Sequence, residues 1–107
     1  MEPIAIFTSR ADLPADAVNI SAASRRTAAD KLMRMISKHT GWLFTTSFLE
    51  YVVPYAFKRY QPAAGTAVEP GLTRGRLYCY LTQAELEKLF DDINVACDYD
   101  SELDELD

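Results

Sequence analysis

The stretch RLYCYLTQAELEKLFDDINVAC, residues 76–97, changes its hydrophobic period in mid-course. Up to Thr82, Leu77, Cys79 and Leu81 alternate with Tyr78 and Tyr80, the two-residue period of a half-buried strand. Beyond it, Leu86, Leu89, Phe90, Ile93 and Cys97 follow the 3.6-residue period of a helix, with Glu85, Glu87, Asp91 and Asp92 around the stripe. Thr82 and Glu85 stand at capping-box spacing, and Leu81 is placed to staple onto Leu86. A strand running straight into a helix requires a fold with both kinds of layer.

The remaining segments supply the partners. PIAIFT reads as a first strand and SRADLPAD as a loop. In SAASRRTAADKLMRMISKHTG, Ala28, Ala29, Leu32, Met35, Ile36 and His39 recur at helical spacing. Ser24 or Thr27 caps that helix, and Gly41 supplies its left-handed stop. GWLFTTSFLEYVVPYAFKRYQP is ambiguous. Ser47 and Glu50 form a second capping-box pattern, and Phe44, Phe48, Tyr51 and Tyr55 share a helical face. Pro54 inside a helix, however, would cost about 3 kcal/mol. The expectation is an extended piece at 42–46 and helical turns through 48–60, broken near Pro54. EPGL suits a type II turn centred on Pro70 and Gly71, flanked by TAV and RLYCYLT as hairpin strands. At 107 residues this is one domain of α+β class. We expect a small antiparallel sheet with two or three helices packed on it over residues 1–97, then an acidic C-terminal tail, 98–107.

Charge is distributed unevenly. Residues 1–68 hold eight Lys/Arg against five Asp/Glu; residues 69–107 hold three against eleven, with nothing basic after Lys88. The apolar run WLFTTSFLEYVVPYAF contains Glu50 and Pro54 and falls short of the ~20 uncharged residues of a membrane span. MEPIAIFTSR places an acid where a secretory leader needs a base, so the expectation is a cytoplasmic protein with no membrane partner and reduced thiols.

Chemistry-bearing patterns are sparse. His39, the single histidine, stands at a helix C-terminus, where an imidazole satisfies orphan carbonyls. One His and two separated Cys do not make up a zinc site, and both thiols fall on apolar faces, as buried core cysteines do. No phosphate-binding glycine motif occurs. Burial of Glu50 among aromatics would make it a general acid or base, but a helix cap explains it more simply. DYDSELD alternates acids as a calcium loop does, yet Leu103 occupies the turn-glycine position. No metal, cofactor or enzymatic activity is therefore expected.

Two charged surfaces remain. Lys31, Arg34 and Lys38 share a face of the first helix and form the alternative, a nucleic-acid-binding module. The denser surface comprises Glu85, Glu87, Asp91, Asp92, Asp98, Asp100, Glu102, Asp104, Glu105 and Asp107, with Tyr78, Tyr80 or Tyr99 as aromatic anchor. In charge pattern alone, and over about the last quarter of the chain, this resembles small phage- or plasmid-encoded inhibitors of nucleic-acid enzymes, such as anti-restriction and anti-CRISPR proteins. The expected function is a non-enzymatic protein-binding domain that inhibits or regulates a basic protein or nucleoprotein. The large apolar side chains of 42–60 leave room for a homodimer.

Overall fold

The computed structural model of the chain describes residues 2–106, and the side chains of all of these except Val18 and residues 97–106. A four-stranded sheet carries three helices, as the α+β reading requires. The strands are β1 (Ile6–Phe7), β2 (Ser21–Ala22), β3 (Phe57–Tyr60) and β4 (Leu77–Cys79), in the order β1-β3-β4-β2. β4 is antiparallel to both neighbours, pairing Phe57 with Cys79 on one side and Ser21 with Tyr78 on the other. β1 joins the β3 edge in parallel, Ile6 opposite Arg59 and Phe7 opposite Tyr60, so the sheet is mixed rather than wholly antiparallel.

The helices are α1 (Arg25–Thr40), α2 (Thr46–Glu50) and α3 (Gln83–Leu106). α1 begins where Ser24 Oγ accepts the Thr27 N–H at 3.2 Å, and it ends at Gly41, whose φ of 80° is open to glycine without strain. Ala28, Ala29, Leu32 and Ile36 form its buried stripe. α3 begins with the expected capping box. Thr82 N–H donates to Glu85 Oε1 at 3.2 Å, and Glu85 N–H donates to Thr82 Oγ1 at 3.3 Å. Its backbone does not stop near Cys97 but continues to Leu106.

Segment 42–60 keeps the expected break near Pro54 and differs from its sequence reading in two respects, its cap and its last four residues. The cap of α2 is Thr45, whose Oγ1 accepts the Phe48 N–H at 3.1 Å, and not the Ser47–Glu50 pair. Pro54 lies in the first turn of a 3-10 helix, Val53–Tyr55, where its missing N–H costs nothing. Residues 57–60 are then a strand and not helical turns, because β3 supplies the antiparallel partner that β4 needs. TAV, the expected partner, is part of the long connection 61–76 and forms no strand. That connection folds back over the sheet. Glu69 C=O accepts the Leu72 N–H at 3.1 Å, closing the expected turn with Gly71 at φ 83°.

Both faces of the sheet are consequently covered. The larger core lies under the helices and contains Leu32, Ile36, Leu49, Val53, Phe57, Leu77, Cys79, Leu86 and Phe90. On the other face Phe7, Tyr60, Leu72 and Tyr78 form a second cluster under the connection. Its polar ends are satisfied by backbone: Glu69 N–H donates to Tyr60 Oη at 3.0 Å and Thr73 N–H to Tyr78 Oη at 2.8 Å. Thus β4 is buried on both sides, where alternation alone predicted one.

Candidate functional site

The acidic face of α3 begins with four described carboxylates. Glu85 is committed to the cap. Glu87 accepts from Gln83 Nε2 at 3.4 Å, Asp91 Oδ1 lies 3.5 Å from His39 Nε2, and Asp92 Oδ2 lies 3.0 Å from Lys88 Nζ. The Lys88–Asp92 ion pair is largely open to water and the His39–Asp91 contact partly so, and exposed pairs contribute about 0–1 kcal/mol. Engagement so weak leaves these groups available to a competing cation. The expected contact residues Asp98, Tyr99, Asp100, Glu102, Asp104, Glu105 and Asp107 have side chains outside the described residues, as does Cys97.

Among the described side chains of α3, the anchoring ones lie in its first turns. Leu86 and Phe90 are fully buried against α1 and the sheet, with Leu89 and Ile93 partly so, and Val95 is already exposed. Between α1 and α3 runs a cleft of about 380 Å³ lined by Met35, Lys38, His39, Gln83, Glu87 and Phe90. Here the basic end of α1 meets the acidic start of α3, with the His39 ring 6.0 Å from that of Phe90. His39 is therefore a bridge between helices.

The basic face of α1 is committed in part. Lys31 Nζ donates to the Ser21 carbonyl and ties α1 to β2; Arg34 Nη2 lies 3.2 Å from Asp30 Oδ2 one turn back. Lys38 lines the cleft. Of the three expected phosphate contacts Lys31 is thus engaged within the molecule, while Arg34 sits in an exposed pair as weak as that of Lys88 with Asp92.

The aromatic anchors fall elsewhere than expected. Tyr78 is buried in the second cluster and cannot contact a partner. Tyr80 is half-buried; its hydroxyl donates to the Tyr55 carbonyl at 2.9 Å, Lys58 Nζ sits 4.5 Å over its ring, and burial raises its pKa. What is exposed instead is the apolar series Trp42, Leu43, Phe48, Tyr51 and Tyr55. The sequence places Phe44, Phe48, Tyr51 and Tyr55 on one face without saying which way it looks. The structure turns Phe48, Tyr51 and Tyr55 outward and buries Leu49, Val52, Val53 and Ala56 opposite them. The available signal was that both faces of this helical path are apolar, more than one core can cover.

Cys79 is buried, its Sγ donates to the Leu81 carbonyl at 3.7 Å, and desolvation pushes its pKa up to about 11, opposite to the shift that makes a thiol nucleophilic. Glu50 is half-buried at the end of α2. Among the described residues no group of three or more His, Cys, Asp or Glu could hold a metal ion, and no helix is long and apolar enough to cross a membrane. No protein-family model matches the sequence, and neither a curated protein nor a solved structure shows significant similarity to it.

Proposed function

We propose that this protein is a non-enzymatic binding domain, an inhibitor or regulator that presents the acidic side of α3 to a basic groove on a nucleic-acid-handling partner. The observation that carries this reading is the helical backbone of α3 through Leu106, because helix pitch sets charge density. Five carboxylates fall within the eight residues from Asp98 to Glu105. At a rise of ~1.5 Å per residue that is about one charge per 2.4 Å of axis, against about one per 1.7 Å for duplex DNA. In an extended chain of ~3.3 Å per residue the spacing would double to about 5 Å and the likeness would be lost. Over its whole length α3 holds nine acids and one base, Lys88. Such a surface steers a cationic partner and sets its register. The same role is that of the small phage- and plasmid-encoded inhibitors whose charge pattern the C-terminal quarter resembles.

The test is a charge-neutralised chain carrying Asp98→Asn, Asp100→Asn, Glu102→Gln, Asp104→Asn, Glu105→Gln and Asp107→Asn. Partners captured by the native chain at low salt should associate at least tenfold more slowly with this variant and with a flatter salt dependence. Equal rates and equal salt slopes would refute the proposal. The alternative, nucleic-acid binding through α1, predicts that truncation after Cys97 strengthens duplex binding in a gel shift. The engagement of Lys31 with the Ser21 carbonyl takes one contact from that face.

A further inference from the structure

The exposed aromatic face of segment 42–55 plays no part in an electrostatic contact, and it has the composition of an interface. Trp42, Leu43, Phe48, Tyr51 and Tyr55 are between 41% and 78% exposed, and the Phe44 ring stacks on Phe48 at 5.6 Å. Tyr51 N–H donates to the Phe48 carbonyl at 3.1 Å and Tyr55 N–H to the Val52 carbonyl at 2.9 Å, which keeps positions 48, 51 and 55 on one side. We propose that this face is a homodimer interface, occupied by the same face of a second copy of the chain across a two-fold axis.

Two observations select a second copy. The first is area. Large aromatic side chains offer roughly 150–250 Å² each, so at these exposures the five residues present roughly 500 Å² per protomer. A standard interface buries about 800 Å² per partner, and an apolar centre of this size with a polar rim meets that requirement. The second is charge. Residues near a two-fold axis face their own copies, so the centre of a self-complementary patch holds little formal charge. From Gly41 to Phe57 the chain has one, Glu50, which is half-buried. A basic partner would gain nothing from this neutral face. Lys58 stands near the Tyr55 end of the patch, but a chain of net charge −5 is repelled by anionic headgroups.

The experiment is sedimentation equilibrium of the full-length chain and of Leu43→Glu, with Tyr51→Lys as a second variant and circular dichroism to confirm folding. We expect the native chain to reach twice 12.0 kDa at micromolar concentration. Each variant should weaken association about 30-fold or more, as loss of a central contact does. Trp42, the single tryptophan, should shift its emission to the blue as the native chain is concentrated, and not in Leu43→Glu. Added salt should strengthen the dimer by screening like charges, opposite in sign to its effect on partner capture by α3, so the two proposals fail separately. A native chain that stays monomeric overturns the inference, as does a dimer that both folded variants retain. Flotation of monomer with phosphatidylcholine vesicles overturns it in favour of a lipid surface.

Discussion

Replacing Phe90 with Ala tests how the acidic helix is held to the body. Phe90 is 1% exposed, and with Leu86 it is one of two fully buried side chains among the described residues of α3. Its burial is worth about 1.5–3 kcal/mol in transfer free energy, and the cavity left behind brings the expected cost of Phe→Ala to about 3–5 kcal/mol. A chain of 107 residues has a total stability of roughly 5–15 kcal/mol, so this single change removes about a fifth or more. With a urea slope of about 2 kcal/mol/M the unfolding midpoint should fall by about 2 M. The assay is urea denaturation followed by circular dichroism and by Trp42 emission. Val95→Ala, one turn and a half further along and 68% exposed, is the control and should change stability by less than about 0.5 kcal/mol. If Phe90→Ala cost no more than Val95→Ala, the docking of α3 through its first turns would be wrong.

Other predictions address the cap, the buried thiol and the two surfaces. Thr82→Ala removes the hydroxyl that accepts the Glu85 N–H and donates to Glu85 Oε1, while leaving the backbone half of the box, and should cost about 1 kcal/mol by thermal denaturation; no change would mean the hydroxyl cap contributes nothing. Cys79 ionises near 9.0 when unfolded but holds its proton to about 11 when folded, so between those values the unfolded state binds fewer protons. Stability should fall as pH rises through that window, by at most about 1.4 kcal/mol per pH unit, and the extra slope should vanish in Cys79→Ala measured by urea midpoint. The neutralised C-terminal variant should lose association rate and salt sensitivity toward its partner while dimerising at least as tightly as the native chain. Leu43→Glu should do the reverse, sedimenting as monomer with its partner association rate unchanged.

These opposite outcomes follow from how the fold separates two kinds of surface. α2 and α3 each pack on α1, so one helix scaffolds both a neutral aromatic face and a carboxylate-rich one. Apolar contact gains from salt and charge contact loses by it, which lets one small domain carry both without either obscuring the other.

The features legible in the sequence are those whose physics is local. Ser24 capping α1, Gly41 ending it, the Thr82–Glu85 box and the turn at Gly71 each involve groups within about four residues of one another, so spacing alone announces them. The acidic character of α3 was equally plain, being composition on a periodic stripe. What only the tertiary structure decided depends on pairing across long separations. Phe57–Tyr60 is a strand because β4 needs an antiparallel neighbour, and β1 is parallel because it adds to the far edge of β3. Tyr78 is buried because residues 69–75 return to satisfy its hydroxyl and that of Tyr60. Two apolar faces competed for one core along 46–56, and α1 together with the sheet covered the side bearing Leu49, Val52, Val53 and Ala56. Sequence periodicity defines the faces of a helix, but which face turns inward is a free-energy comparison that exists only once the other elements have assembled around it.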